Sequence, residues 1–359
     1  MKYTEVAIVG GGPAGLTAAM SAAKLGAEVI LIDRNDYLGG QLIKQTHRFF
    51  GSKQQRASER GIDIARELSD QVMNIPNIQV MTEATVLGYY EDGVLLVEQN
   101  KKIITIHPKR IVISTGGAEK TLLFPNNDLP GVYGAGAVQT LVNVYGVKPG
   151  KKVLMVGAGN IGVIVSYQLL QAGIEVVAII EAAPKIGAYW VHAAKVVRAG
   201  VPILTRHTIV KAHGEREVNG ATVVRLDENW QPITGTQKKL DVDVICLSVG
   251  LTPLSELLWQ AGCKMVYVPE LGGNVPLRNE HLETSVPGIY VAGDVAGIEE
   301  ASAAMMEGSL AGLEAAASLG YTSETLQENL RDVLEQLKGL RSGSVGEKIR
   351  KGMEQVSLG

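Results

Sequence analysis

Val6-Ala7-Ile8-Val9 runs into Gly10-Gly11-Gly12-Pro13-Ala14-Gly15, and Val153-Leu154-Met155-Val156 runs into Gly157-Ala158-Gly159-Asn160-Ile161-Gly162. Each glycine cluster follows a short apolar, β-prone run and opens a stretch with helical spacing that ends at another glycine, Gly26 or Gly173. Both then resume as strand-like runs, Glu28-Val29-Ile30-Leu31-Ile32-Asp33 and Glu175-Val176-Val177-Ala178-Ile179-Ile180-Glu181. In this pattern the first glycine allows a tight turn, the second lets a pyrophosphate approach the backbone, and the third lets helix and strand pack closely. Phosphates then sit on the unpaired N–H groups at the helix N-terminus, where the helix dipole is positive. One such cluster is weak evidence, but two in the same strand, turn, helix and strand context decide the fold.

Outward from these turns, Arg110-Ile111-Val112-Ile113-Ser114 and Val244-Ile245-Cys246-Leu247-Ser248 read as the strands that close each unit. A Pro-, Gly- and Asn-rich crossing at Phe124–Gly131 has linker chemistry. Pro287-Gly288-Ile289-Tyr290-Val291-Ala292-Gly293-Asp294, followed by a small-residue helical stretch over 302–317, returns the chain to its first unit. The expected fold is therefore α/β, with two Rossmann-like dinucleotide-binding domains, the second inserted in the first, plus a C-terminal helical segment. The boundaries are 1–118 with 251–320 for the first domain, 119–250 for the inserted one, and 321–359 for the C-terminal helix and tail. Leu326, Leu330, Val333, Leu334 and Leu337 fall on one face of that helix. Such a stripe must be buried, either on the chain's own domains or on a partner or second copy.

Composition bounds the function. A length of 359 residues accommodates two full cores, and 42 glycines with only 5% aromatic residues fit aliphatic α/β packing. A net charge of -3 gives no reason to expect nucleic acid as a partner. Apolar runs are broken well before the roughly 20 residues of a membrane span, so no membrane insertion is expected. The first strand leaves no room for a secretory leader, which makes a cytoplasmic location the expectation. Two cysteines, Cys246 and Cys263, form no CxxC pair and cannot supply the four thiolates of an iron–sulfur cluster. The six histidines show no metal-binding spacing, and no metal site is expected. Trp190 and His192 read as packing or subunit surface, and no Ser/His/Asp or paired-carboxylate arrangement points to hydrolysis.

The order of these motifs over about residues 4–320 resembles the flavoproteins with two dinucleotide-binding domains, the pyridine nucleotide-disulfide oxidoreductase superfamily. Gly39-Gly40-Gln41 is similar to the turn beside the flavin in thioredoxin reductases, yet the chain has no redox cysteines where the disulfide reductases carry theirs. Thr85-Val86-Leu87-Gly88-Tyr89-Tyr90, Leu129-Pro130-Gly131-Val132-Tyr133 and Val291–Ile298 resemble the alpha-type subunits of sarcosine oxidase, opine oxidase, dye-linked proline dehydrogenase and hydrogen cyanide synthase. The cysteine-rich module and folate-binding extension of some relatives are absent. The resemblance implies FAD at the first turn, with Asp294 on the ribityl chain, and a nicotinamide nucleotide, NAD(H), as a candidate at the second. It also implies a partner, either a second dehydrogenase subunit or an electron-carrier protein, with a homo-oligomer as a further option.

The candidate cofactor-binding residues are Gly10, Gly12, Pro13, Ala14, Gly15, Asp33, Arg34, Gly40, Gln41, Val86, Thr115, Gly116, Gly293 and Asp294 at the first site. Those at the second are Gly157, Gly159, Gly162 and Glu181. Asp33, at the end of its strand, suits both ribose hydroxyls of an adenosine. Glu181 falls one residue later after Gly173 than Asp33 does after Gly26. A shift of one residue turns a strand side chain to the opposite face, so Glu181 is expected to miss the ribose unless the strand has already ended. Gln41, His47 and Phe50 are the candidates nearest the flavin, within Lys44–Ser52 and the turn before it. That segment reads either as an aromatic and cationic wall for the ring or as a loop whose phenylalanines anchor it to the core.

The leading expectation is an FAD-dependent oxidoreductase, the electron-transferring flavin subunit of a multi-subunit amino-acid, imino-acid or hydroxy-acid dehydrogenase. The rivals are a stand-alone NADH:acceptor flavin oxidoreductase and a non-redox nucleotide-binding scaffold subunit.

Overall fold

In the computed structural model, which describes residues 1–49, 52–90, 92–343 and 346–358, the chain divides into two units. Met1–Ala118 with Leu251–Gly359 forms unit 1, and Glu119–Gly250 forms unit 2.

Unit 1 is built on β1 (Lys2–Val9), α1 (Pro13–Lys24), β2 (Val29–Ile32), α2 (Gly61–Met73), β3 (Ile78–Met81), β4 (Ala84–Tyr89), β5 (Leu95–Gln99) and β6 (Lys102–Ile113). The sheet order is β3-β2-β1-β6-β5-β4, with strand Ile289–Val291 added beside β6. β1 lies parallel between β2 and β6, pairing Val6 with Val29 and Val9 with Ile113. All four residues of β2 are buried, as expected of a parallel strand covered on both faces. One face is covered by α1, α2 and helix Ala301–Ala317 through a core of Leu16, Ala18, Leu31, Ile64, Leu68 and Leu310. The fit between α1 and Ala301–Ala317 rests on missing side chains. A Cβ on Gly308 would lie 2.0 Å from the Ala14 carbonyl oxygen, and one on Gly312 would lie 2.2 Å from that of Ala18.

The C-terminal stripe is covered within the chain. Helix Leu326–Leu340 packs on Ala301–Ala317, with Leu326, Val333 and Leu337 buried and Leu330 half-buried against the same core. Only Leu334 of the five stays exposed, at 45%, so the stripe is spent on unit 1 itself and the reading of it as an interface does not hold. Helix Glu347–Met353 and Val356 close over Val268, Leu271 and Val275.

Unit 2 has a parallel sheet in the order Ile203–Thr205, Glu175–Glu181, Lys152–Val156, Val244–Leu247 and Val132–Gly134. It also carries an antiparallel sheet of His207–His213, Gly220–Arg225 and Lys238–Leu240. The edge strand Val132–Gly134 and the helix Ala135–Asn143 that follows it correspond to Ile289–Val291 and Ala301–Ala317 of unit 1. Ile245 donates its N–H to Gly131 as Ile111 does to Gly288, and Tyr133 sits beside Cys246 as Tyr290 sits beside Val112. The chain order differs: this strand opens unit 2 and comes late in unit 1. No described helix is long and apolar enough to cross a membrane.

Candidate functional site

The three glycines of the first turn do different work. Gly10 has φ of +107°, and a Cβ there would strike the Ser114 carbonyl oxygen at 2.3 Å. A Cβ on Gly15 would strike the Gly10 carbonyl oxygen at 1.7 Å. Both glycines are demanded by the chain's own packing. Gly12 is not: its φ is -76°, and the nearest atom to a Cβ there is the Gly40 Cα at 3.9 Å. Gly12 is also the N-cap of α1, whose first turn has no side-chain cap and no acid. The space beside Gly12 and the uncapped N–H groups form a cradle suited to an anion.

Asp33 is fixed at the end of β2. Its Oδ2 accepts the Gly11 N–H at 2.6 Å and its Oδ1 accepts the Asn35 N–H at 2.8 Å, while Arg34 beside it is exposed. Gly39 donates its N–H to the Gly11 carbonyl at 2.8 Å, and Gly40, at φ of +52°, lies so close that a Cβ would meet the Gly12 Cα at 2.7 Å. The exposed Gln41 follows in a short 3-10 helix, Gly40–Lys44. Gly293, at φ of +77°, rests against Ala14, and a Cβ on Gly117 would come within 3.5 Å of the Asp294 Cβ. Gly10, Gly12, Pro13, Ala14, Gly15, Asp33, Gly40 and Gly293 are thus gathered around the N-terminus of α1.

Other expected residues have partners that limit them. Thr115 Oγ1 donates to the Leu254 carbonyl at 2.7 Å, and the Gly116 carbonyl accepts the Leu254 N–H at 2.9 Å. Val86 is half-buried against the second core face of unit 1, two residues after Ala84, whose N–H donates to the Asp33 carbonyl. His47 stacks on Phe49 with ring centroids 5.9 Å apart, and Phe49 packs against the core, which favours the anchoring-loop reading for that ring. Phe50 lies outside the described residues. Asp294 is partly buried; burial, with the charges of Glu307, Glu299 and Glu300, pushes its carboxyl up to about 7.

The second turn repeats the first. A Cβ on Gly157 would meet the Ser248 carbonyl oxygen at 2.1 Å, and one on Gly162 would meet the Gly157 carbonyl oxygen at 2.2 Å, whereas around Gly159 there is nothing within 4 Å. Glu181 does not turn away. Its Oε2 accepts the Ala158 N–H at 2.8 Å and its Oε1 accepts the Ala183 N–H at 2.9 Å, the same two bonds that Asp33 makes. The cause is an irregularity in the strand pairing: Val153 pairs with Val176 but Leu154 with Ala178, so Val177 is bulged out. The bulge absorbs the extra residue and returns Glu181 to the side expected of an acid at this position. Gly187 and Ala188 then donate to the Ala158 carbonyl, as Gly39 does to Gly11.

His192 is buried, and burial with Lys195 nearby holds its imidazole below the usual range, while Trp190 is 79% exposed. Cys246 lies in unit 2 and Cys263 in unit 1, both buried, and burial pushes both thiols up, away from the thiolate that disulfide exchange requires.

Sequence reasoning missed a buried group behind the Gly293-Asp294 turn. Arg341 donates to both Glu299 oxygens, at 2.6 and 3.0 Å, and to Glu307, whose Oε2 accepts the Gly293 N–H at 2.9 Å. No spacing in the sequence links residues this far apart.

The profile of the family described as pyridine nucleotide-disulphide oxidoreductase matches residues 4–308. The alpha subunit of sarcosine oxidase from Rhizobium meliloti (strain 1021) is 29% identical over 321 residues, covering 86% of this chain and 30% of that protein. An opine oxidase subunit from Agrobacterium tumefaciens (strain Ach5) is 27% identical, covering 89% of this chain and 67% of that protein. Among solved structures, L-proline dehydrogenase from P. horikoshii superposes with a TM-score of 0.68 at 26% identity, covering 92% of this chain and 59% of that one. The chain thus spans about a third of the length of the sarcosine oxidase protein it matches.

Proposed function

Because the chain belongs to the pyridine nucleotide-disulphide oxidoreductase family, we propose that it is an FAD-binding electron-transfer subunit of a multi-subunit dehydrogenase acting on an amino, imino or hydroxy acid. The observation that carries this reading is the open space at Gly12. Packing demands glycine at 10 and 15, whereas at 12 the fold leaves open space, and in this reading that space is the approach of the pyrophosphate to the backbone. In this reading the N–H groups of the first turn of α1 hold the pyrophosphate. Asp33 accepts the adenosine ribose hydroxyls, and Asp294 accepts a ribityl hydroxyl. Arg34 and Val86 flank the adenosine, and Gln41 and His47 lie toward the ring. A flavin bound there supplies electron acceptance and release at its ring. The two buried thiols leave no route to disulfide reduction. Relatives named as subunits support a partner polypeptide that holds the substrate pocket.

A second reading, NADH as electron donor at Gly157, Gly159, Gly162 and Glu181, is favoured by the carboxylate of Glu181, which stands where Asp33 stands in unit 1. The test is the absorbance spectrum of the purified chain with NADH added anaerobically. Flavin bands that persist without the partner support the electron-transfer subunit, and bands that bleach support the NADH reductase. A chain that neither retains nor takes up FAD overturns both in favour of a nucleotide-binding scaffold.

A further inference from the structure

We infer that Glu307 and Arg341 are positioning residues that hold the Gly293-Asp294 turn in shape for the first nucleotide site, so that the C-terminal segment completes that site. This rests on the reading of the Gly10–Gly15 turn as a dinucleotide site.

Four charged side chains meet behind the turn. Glu307 is 2% exposed and Arg278 3%, and the side chains of Glu299 and Arg341 are 9% and 14% exposed. Removing such ions from water costs several kcal/mol each, and apolar residues of similar volume often stabilise a fold as well or better. A charged cluster that serves packing alone is therefore an expensive choice. Its geometry gives it another use. Arg341 grips Glu299 and Glu307 at once, and both residues touch the turn, Glu307 through its carboxylate and Glu299 through its backbone N–H. Glu307 Oε2 accepts the Gly293 N–H at 2.9 Å, and the Glu299 N–H approaches Asp294 Oδ1 at 3.5 Å. Gly293 stands at φ of +77°, in the left-handed region that favours glycine. Arg341 is itself held from the tail. Arg350 donates to the Gly343 carbonyl at 3.0 Å and to the carbonyl of Arg341. Arg278 donates its N–H to the Val356 carbonyl at 2.9 Å.

In unit 2 the residue corresponding to Gly293, in the first turn of helix Ala135–Asn143, also meets a carboxylate. Gly136, three residues after Tyr133 as Gly293 is after Tyr290, donates its N–H to Glu119 Oε1 at 2.6 Å, and Ala137 donates to Oε2 at 3.2 Å. The acid comes from a different element in each unit, yet in both it accepts the backbone N–H of the glycine three residues after the strand's tyrosine.

The experiment uses the full chain carrying Arg341→Met, Arg341→Lys or Glu307→Gln. FAD affinity is measured by fluorescence titration, and amide hydrogen exchange is measured on the cofactor-free proteins. Arg341→Met is expected to weaken FAD binding about tenfold or more, equivalent to about 1.4 kcal/mol, and to speed exchange over residues 289–298. Exchange in β1 should stay at the wild-type rate, and Arg341→Lys, which keeps the charge, should recover part of both effects. Wild-type affinity and exchange in a folded Arg341→Met protein overturn the inference. Faster exchange spread over all of unit 1 also overturns it, because the pair then serves the fold and not the turn. Should Arg341→Met fail to fold, Arg341→Lys and Glu307→Gln carry the same comparison. If the wild-type chain binds no FAD, the first-site reading fails by itself, and the exchange pattern alone decides whether the pair holds the turn.

Discussion

Around the first glycine turn the acid is Asp33, at the end of a regular strand; around the second it is Glu181, one residue later and one methylene longer, on a strand with Val177 bulged out. Both nevertheless accept an N–H from the residue after the first glycine and another from the residue two positions beyond the acid. The two units therefore reach one arrangement by different routes, a plain strand in one and a compensating bulge in the other. At the next position around the turn they diverge. Unit 1 has Gly293-Asp294 backed by Glu307 and Arg341, whereas unit 2 has Gly136-Ala137 backed by Glu119 alone. A shared turn thus gives both units the same glycine and acid geometry, and the acid particular to unit 1, Asp294, stands outside it.

The largest effects should come from the glycines that both units need for packing. Gly15→Val and Gly162→Val each drive a side chain into a backbone oxygen, and each should cost about 4 kcal/mol or more, read by chemical denaturation as loss of the unit concerned. Unchanged stability in either would show that its turn can open. Next come the glycines the fold does not need. Gly12→Val should keep wild-type thermal stability in the cofactor-free protein yet lose most bound FAD, while Gly159→Val should keep FAD and weaken only NADH. If both variants lose FAD, the two turns are not independent sites.

Deleting Val177 sharpens the comparison further. The deletion removes the extra residue together with the bulge and leaves Glu181 as far from Gly173 as Asp33 is from Gly26, so both of its bonds, and with them NADH affinity and FAD retention, should survive. A drop in NADH affinity would show that the bulge itself is needed. Titration then separates Asp294 from its counterpart Ala137. With its pKa raised from 3.8 to about 7, the folded protein holds a proton there that the unfolded chain has released. Stability of the cofactor-free protein should therefore fall as pH rises from about 4 to about 7 and stay lower above that window. Asp294→Asn should flatten the trend, seen as a smaller difference in Tm between pH 5 and pH 8. The smallest effect is expected for Cys246→Ala with Cys263→Ala, a stability change of about 1 kcal/mol and no change in the rate of flavin reduction.

The double turn, its flanking strands and the acid of the first unit were legible in the sequence because each depends on residues close together along the chain. Glu181 was misplaced because a bulge depends on how one strand pairs with its neighbour, and nothing within 175–181 announces it. Pro130-Gly131-Val132-Tyr133 and Pro287-Gly288-Ile289-Tyr290 did carry a signal for the matched edge strands, visible as an echo in the sequence. The apolar stripe of the C-terminal helix was legible as a stripe, but amphipathic spacing says that a face is covered and not by what. Arg341 was silent for a similar reason, since an arginine in a polar tail looks like a solvated one until its acids are seen.

The close fit of Gly308 and Gly312 against α1 has a consequence for the order in which the chain takes shape during synthesis. Residues 119–250 leave the ribosome as a complete unit, whereas α1 waits for a helix made nearly three hundred residues later. Domains fold as units as they emerge, and contacts between distant residues form late. The nascent chain therefore carries a finished second domain while the first still exposes Ala14, Ala18 and their apolar neighbours, and that face stays open until the helix holding Gly308 and Gly312 is made.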